Sequence, residues 1–412
     1  MTENDDQQMV EQAVAMSRAM SAARGMSRRR FLASSGLLAG MAAAGPAFLA
    51  ACGGDDDKGD GAKGSSDYDL IISNWDAYID TDDKEDPSGK GTTIDDFQKA
   101  TGLKVNYKVD YNDNNEYFNK VFSPYLGTGK PIAADVVMPT YWMAARLIEL
   151  KWVEEQPLSK IPNRANIDDS YLSLPWDPGA KHHSPWQAGF TGICYNPDLT
   201  GEVLSIEQLL TDPALKGKIS LLTELRDTVG LTMMDQGADI TKVDMDAANA
   251  ALDTIEKAKK DGQVRAFTGN EYLSSLESGD LAACLAWSGD IVQQQKSQPQ
   301  LKFVFPEKGA TRWFDTMVIP NKTPHLDAAA KWIDWVYDPA HAAKIAAAVA
   351  YVSPVKGVQE EIRKLGGEEA KMADSPILFP DAATAARLHV FATYPEKDEI
   401  ALQKRFDDIM GG

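Results

Sequence analysis

The sequence predicts an α/β protein with two lobes. Strand-like apolar runs alternate with helix-like amphipathic segments across residues 68–150, and the alternation returns between residues 184 and 287. This rhythm is typical of sheets with largely parallel strands covered by helices on both faces. A chain of 412 residues also exceeds what one compact core usually needs. The expected division is residues 68–180 with about 316–350 in lobe 1, and residues 181–315 with about 351–412 in lobe 2.

Residues 1–51 predict an export signal. Arg28 and Arg29 form a pair just before an apolar run, as in twin-arginine signals. The run itself is too short and too weakly apolar for the roughly 20 residues of a membrane-spanning helix. It ends in Leu-Ala-Ala-Cys-Gly at residues 49–53, which resembles a bacterial lipobox and implies a lipid anchor on Cys52, the first residue of the mature chain. These signals imply a cell-envelope protein, and the alternative is a buried helix with a chance cysteine.

The first ordered elements are expected just after a flexible tether at residues 52–67, which has no apolar side chain large enough to pack. Thr92 is a typical N-cap and Gly102 a typical helix end, so a helix is expected between them. Helices are also expected near 116–126 and 143–150. The strands expected around these helices span residues 68–75, 103–109 and 134–138.

The second half of the chain repeats the alternation. Helices are expected at residues 244–261, 325–336 and 339–349, and the tail beyond them is expected to be mostly helical. The expected strands span residues 184–195, 219–223, 282–287, 302–306 and 314–320.

Net charge and cysteine usage restrict the partners. A formal charge of −19 makes nucleic acid an unsuitable partner and is compatible with a cationic ligand. Cys194 and Cys284 both lie in apolar runs, which favours two buried thiols, although a disulfide between them stays open. Asp110–Val121 starts like a calcium loop but lacks its Gly and its Glu, so no calcium loop is expected there. We expect no cofactor and no metal.

Five motifs in order resemble one family. From about Tyr68 to the C-terminus the chain resembles the periplasmic spermidine/putrescine-binding proteins, within the bacterial extracellular solute-binding proteins. The resemblance implies a type II-like periplasmic-binding-protein fold with the ligand in a cleft between two lobes. It also implies delivery of a polyamine to an ABC permease by a monomer that is not an enzyme. The motifs are Ile72–Tyr78, Asp135–Tyr141, Leu221–Asp227, Gly279–Gly289 and Trp313–Asp315.

A polyamine needs carboxylates for its ammonium groups and aromatic faces along its methylenes. Trp313 and Asp315 alternate on one strand and therefore project to the same side. In the family, the acid matching Asp315 contacts an ammonium group, although an acid at a solvated strand end is the alternative. Aromatic side chains in the motifs are the other candidates, with packing in the core as their alternative: Trp75, Tyr78, Tyr141, Trp287 and Tyr351.

The motifs depart from the family at two places. Thr-Glu is usual after the first Asn-Trp, but this chain has Asp76 and Ala77 there, so Asp76 is the expected replacement anchor. Glu224 and Asp227 lie near the second carboxylate pair of the family, in an uncertain register, and Glu224 is taken as the candidate. The family's C-terminal amide contact has no clear match near His389.

Two other classes of protein remain as alternatives. Aromatic and acidic residues also line the sites of glycosidases and of sugar- or quaternary-amine-binding proteins. An enzyme is disfavoured, because the His182–His183 pair is the only histidine cluster and no HExxH, GxSxG or phosphate-loop pattern is present. The charge of the ligand separates these classes, since a sugar site should tolerate neutral ligands.

Overall fold

The computed structural model describes residues 67–81 and 87–411. The predicted export signal, Cys52 and the predicted tether up to residue 66 lie outside this part. Within it, ten strands form one sheet. The strands are β1 (Leu70–Trp75), β2 (Val105–Tyr111), β3 (Val136–Val137), β4 (His183–Tyr195), β5 (Ile219–Leu222), β6 (Val264–Thr268), β7 (Ala283–Trp287), β8 (Lys302–Val304), β9 (Ala310–Val318) and β10 (Leu388–His389).

Helices cover the sheet and carry most of the chain between strands. The α-helices are α1 (Thr93–Thr101), α2 (Asn114–Tyr117), α3 (Ser123–Tyr125), α4 (Tyr141–Glu149), α5 (Pro197–Thr200), α6 (Ile206–Thr211), α7 (Leu225–Asp235), α8 (Met245–Lys260), α9 (Tyr272–Glu277), α10 (Ser288–Gln294), α11 (Leu326–Val336), α12 (Pro339–Val349), α13 (Val358–Leu365), α14 (Ala382–Ala385) and α15 (Glu396–Gly411). Among the described residues, no helix has the length and apolar character needed to cross a bilayer.

The caps predicted for the first helix are present in the structure. Thr92 accepts a hydrogen bond from the Asp95 amide, and Gly102 takes the left-handed conformation at φ 73° that ends the helix. The helix predicted over residues 116–126 is instead divided into α2, a π-turn at Phe118–Phe122 and α3. Pro124 lacks the amide hydrogen that a continuous α-helix would use there, which accounts for the irregular turn.

The sheet has two parallel ends joined by antiparallel strands. Its order is β2-β1-β3-β9-β4-β7-β5-β6, with β10 beside β9 and β8 beside β4. Strands β1, β2 and β3 run parallel at one end, and β5, β6 and β7 run parallel at the other. The long antiparallel strands β4 and β9 connect the two ends. This topology is the two-lobed α/β fold predicted from the sequence.

Two separate hydrophobic cores correspond to the two lobes. One core surrounds β1 and β3 and includes α11 and α12. The other surrounds β5 and β7 and includes α8 and α15. Tyr351 and Leu378 pack in the first core, whereas Phe391 packs in the second. We therefore propose that lobe 1 extends to about residue 378 rather than 350.

Cys194 and Cys284 are two buried, free thiols, the alternative that the sequence favoured. They face each other as directly paired residues of antiparallel β4 and β7. Burial, together with the neighbouring Cys194 thiol, raises the pKa of Cys284 well above its usual value. A thiol in this state is a poor nucleophile, so the pair is protected from oxidation while the lobe stays folded.

Candidate ligand-binding site

A cavity lies between the two cores. It forms where the carboxyl ends of the parallel strands of both lobes face each other, the usual place for ligands of open α/β sheets. The structure brings all nine ligand-binding candidates from the sequence to the wall of this cavity. They are Trp75, Asp76, Tyr78, Tyr141, Glu224, Trp287, Trp313, Asp315 and Tyr351.

Aromatic rings from both lobes form a continuous wall. Trp75 packs edge-on against Trp287, with ring centroids 5.9 Å apart. Trp287 contacts Trp313 at 6.4 Å, and Trp313 contacts Tyr351 at 5.6 Å. Tyr351 in turn contacts Tyr78 at 5.0 Å. The wall therefore offers several π faces to one elongated ligand, each suited to a cation or to a run of methylenes.

Hydrogen bonds from polar ring atoms hold these side chains in place. The indole of Trp75 donates to the Met138 carbonyl at 2.7 Å. The indole of Trp313 donates to the Thr191 hydroxyl on β4 at 2.9 Å. A buried ring with its polar atom satisfied has little freedom to move, so the wall is preorganised for binding.

Two glycines make room for the wall. A Cβ atom on Gly189 would lie 2.7 Å from the Trp313 ring and 2.9 Å from the Tyr351 ring. A Cβ atom on Gly289 would lie 2.5 Å from the Tyr351 ring. All three distances are shorter than any ordinary contact between carbon atoms, so only glycine permits these rings to reach the cavity.

Asp315 is the acidic group best suited to bind a cation. It lies on β9, is 3% exposed, and accepts a hydrogen bond from the Tyr78 hydroxyl at 2.7 Å through Oδ2. Its other oxygen, Oδ1, is buried and has no hydrogen-bond partner among the described residues. Burial raises the pKa of Asp315 to about 7, and the hydroxyls of Thr140 and Tyr78 only partly offset this effect. A buried carboxylate with an unused oxygen gains most from an ammonium ligand.

Asp290 is a second buried acid, and the sequence reasoning missed it. It accepts hydrogen bonds from Tyr272 at 2.6 Å, Tyr351 at 2.7 Å and Asn270 at 3.0 Å. Burial raises the pKa of Asp290 to about 6, against the opposing effect of the two tyrosine hydroxyls. It follows Trp287 by three residues, at the end of a strand, and this position is the signal that could have identified it.

A third group of charged residues lies at the start of α7 and consists of Glu224, Arg226 and Asp227. Burial raises the pKa of Glu224 to about 8, although the guanidinium of Arg226, 3.7 Å away, acts in the opposite direction. Burial also raises the pKa of Asp227, which accepts hydrogen bonds from Trp287 at 3.0 Å and Thr311 at 2.7 Å. Thus Asp227 orients the central tryptophan of the wall.

Arg226 is largely satisfied within the protein. Its guanidinium carbon lies 3.7 Å from the centre of the Trp142 ring, and the group donates a hydrogen bond to Glu399. Tyr141, the first residue of α4, donates to the Phe391 carbonyl at 3.3 Å. These contacts join lobe 1 to the C-terminal segment, so that segment covers one side of the cavity.

Asp76 and Ala77 occupy the turn after β1. Asp76 is half-buried and faces the cavity, as expected for the replacement anchor. Ala77 adopts a left-handed backbone at φ 53°, which directs the chain so that Tyr78 returns to the wall. The remaining lining residues carried no signal of their own in the sequence: Asn114, Thr140, Trp142, Arg226, Asn270, Thr311, Arg312 and Phe391.

A family model described as bacterial extracellular solute-binding protein matches residues 92–380. The chain is 26% identical over 346 residues to spermidine/putrescine-binding periplasmic protein 1 of Haemophilus influenzae, covering 83% of this chain and 90% of that protein. It is also 26% identical over 367 residues to the putrescine-binding periplasmic protein SpuD of Pseudomonas aeruginosa, with coverages of 83% and 92%.

Solved structures share the fold. A chain from Streptococcus pneumoniae, the spermidine/putrescine ABC transporter substrate-binding protein PotD, superposes with a TM-score of 0.64 at 24% identity. The match covers 82% of this chain and 98% of that one. The two-lobed α/β architecture is therefore shared over nearly the whole of that protein.

Proposed function

Because the chain belongs to the bacterial extracellular solute-binding protein family, we propose that it captures a polyamine in the cavity between its lobes and delivers it to an ABC permease. The family consists of substrate-binding proteins, so the chain is a binding protein and not an enzyme. Relatives named for spermidine and putrescine support the class of ligand. A relative named as the substrate-binding protein of an ABC transporter supports delivery to a permease, and we propose that the chain acts as a monomer.

The observation that carries the proposal is Asp315 within the aromatic wall. Its unpartnered, buried Oδ1 is a costly feature that an ammonium group would compensate. Trp313, two residues away on the same strand, adds an aromatic face to the same cavity. A neutral sugar would leave the carboxylate charge without a counterion, so the site favours an amine over a sugar.

A second anchor supports a ligand with more than one ammonium group. Asp290 and Asp315 are connected through the rings of Tyr351 and Tyr78, which contact each other and each bond one of the two acids. A chain of methylenes lying along the aromatic wall would present one ammonium group to each acid. Linear diamines and triamines have this pattern of charge.

Calorimetric titration tests the proposal. We expect putrescine or spermidine to bind the chain starting at Tyr68, and Asp315→Asn to weaken binding by about 10- to 150-fold, the range for losing a hydrogen bond to a charged group. Asp246→Asn, at an exposed acid on α8, is the matched control and should leave affinity unchanged. Binding of maltose or choline without any polyamine would contradict the amine assignment while leaving the binding-protein class intact.

Export through the twin-arginine pathway and anchoring through Cys52 are part of the proposal. They are supported by the order of the arginine pair, apolar run and lipobox in residues 28–53. Expression of the full chain in a bacterial host should place it in the membrane fraction, and Cys52→Ser should release it to the soluble fraction. Arg28→Lys with Arg29→Lys should keep the precursor inside the cell. An unchanged membrane fraction for Cys52→Ser would refute the anchor.

A further inference from the structure

The rim of the cleft brings three segments together outside the aromatic wall. Asn112–Asn114, which we call the rim loop, directly follows β2 of lobe 1. Residues 223–224 follow β5 and residues 269–271 follow β6, both in lobe 2. All three segments lie at the carboxyl ends of parallel strands, so they face each other across the opening.

Four hydrogen bonds cross the rim, and the longest is donated by the Asn270 backbone amide to Asn112 Oδ1 at 3.4 Å. The side-chain amide of Asn112 donates a hydrogen bond to Glu271 Oε1 at 2.9 Å. The hydroxyl of Thr223 donates to Asp113 Oδ2 at 2.8 Å. The amide of Asn114 donates to Glu224 Oε2 at 3.3 Å. Every one of these bonds joins a residue of lobe 1 to a residue of lobe 2.

Each side of the rim is held in shape by its own lobe. Asp113 accepts the Glu116 amide at 2.8 Å as the N-cap of α2. Asn114 donates to the Thr140 hydroxyl at 2.9 Å. On the other side, Glu271 Oε2 accepts the Gly269 amide at 2.7 Å. These contacts preorganise both surfaces, so closing the rim requires little additional ordering.

Gly269 is the point of closest approach. A Cβ atom there would lie 2.8 Å from the Asn112 carbonyl oxygen and 2.9 Å from both polar atoms of its side-chain amide. The backbone at Gly269 is not left-handed, so glycine is needed here for the approach of lobe 1 and not for the local conformation.

We propose that the rim loop and residues 269–271 form a latch that holds the two lobes together and so sets how long a ligand is retained. The proposal rests on ligand binding in the cavity between the lobes. The aromatic wall packs against both cores and most of its rings are buried, so separation of the lobes would widen the path of a ligand. Separation breaks the four rim bonds, which makes Asn112 and Gly269 positioning residues that act on affinity through the closed population.

Gly269→Ala is the sharpest test, because its methyl group clashes only when the rim is closed. We expect the polyamine off-rate, followed by tryptophan fluorescence in a stopped-flow experiment, to rise about tenfold with the on-rate little changed. Asn112→Ala removes two hydrogen bonds across the rim, one of them long, and should raise the off-rate about threefold. Gly411→Ala, at a glycine with open space around it, is the matched control. Cooperative thermal unfolding of all three variants without ligand should show that each of them folds.

Small-angle X-ray scattering reports the positions of the lobes independently of ligand identity. The radius of gyration should be measured with ligand and without it. In at least one of these two conditions it should be larger for Gly269→Ala than for Gly411→Ala. Equal off-rates and equal radii for these two variants would overturn the latch. If no polyamine binds the unaltered chain, the proposed ligand is wrong. The latch is then tested by comparing the radii of gyration of Gly269→Ala and Gly411→Ala, without ligand and with the solute that does bind.

Discussion

Buried carboxyl groups determine the chemistry of the cavity at the scale of single residues. Burial raises the pKa to about 7 for Asp315, about 6 for Asp290 and about 8 for Glu224. These acids are therefore partly protonated near neutral pH in the ligand-free cavity. An ammonium group favours the charged form, so its binding should release protons.

Polyamine affinity should therefore increase with pH between 6 and 8. For Asp315 alone the ionised fraction rises about tenfold over this interval, and affinity should follow it. Calorimetry at several pH values, in buffers of different ionisation enthalpy, measures both the affinity and the released protons. Asp315→Asn should have a shallower pH dependence than the unaltered chain, whereas equal slopes would exclude Asp315 as a titrating anchor.

The same shifts have the opposite effect on the stability of the ligand-free protein. The folded chain binds protons at these acids more tightly than the unfolded chain does. Their contribution to stability is therefore full below about pH 4 and is lost as pH rises through the folded-state values of about 6 to 8. The cavity thus costs stability at neutral pH, and a bound cation recovers it.

At the scale of elements, close approach of backbone segments positions the aromatic wall. Helix α10 begins directly after β7, and its second residue, Gly289, lies against the Tyr351 ring. Asp290 follows and accepts the Tyr351 hydroxyl. The first turn of α10 thus holds Tyr351 in two ways, with Gly289 against its ring and Asp290 bonded to its hydroxyl. Tyr351 itself packs in the core of the other lobe.

Gly289→Ala should destabilise the protein by about 1–3 kcal/mol, because the added methyl group has no space beside Tyr351. Denaturant unfolding measures this cost. The loss of stability caused by Gly289→Ala should be smaller in a Tyr351→Ala background than in the unaltered chain. Equal costs in the two backgrounds would mean that the clash with Tyr351 is not the cause.

At the scale of the whole molecule, charge and topology act together. The chain carries a formal charge of −19, which attracts cations over distances longer than any single contact. Strands β4 and β9 pass between the lobes, so they are the natural hinge of an opening motion. The net charge should affect the association rate of a cationic ligand. The closed rim should affect its dissociation rate.

The association rate of a polyamine should fall as ionic strength increases, while the dissociation rate should change little. Raising the salt from about 0.01 M to 0.15 M shortens the screening length from about 30 Å to 8 Å and removes most of the long-range attraction. Stopped-flow fluorescence over this range separates the two rates. A dissociation rate that carries most of the salt dependence would place the relevant charges at the ligand contacts instead.

How much could be predicted from the sequence depended on how local the signal was. The α/β class, the capped helix after Thr92 and the family assignment were confirmed, because periodicity, caps and motifs are local patterns. The nine candidate residues were chosen because they follow strands or lie in motifs, and they do line one cavity. Their contact with a ligand stays a prediction. The helix over residues 116–126 was wrong in detail, because a single proline alters the hydrogen-bond pattern.

By itself, the sequence determined the fold class, the family and the kinds of side chain available for an amine, since these follow from patterns within short segments. Only the tertiary structure decided which of those side chains act together. Asp290 became a candidate because Tyr272 and Tyr351, distant along the chain, both donate to it. The unpartnered oxygen of Asp315 and the tight approach at Gly269 likewise depend on segments from both lobes. Partnering and close approach are properties of long-range packing, which no local pattern encodes.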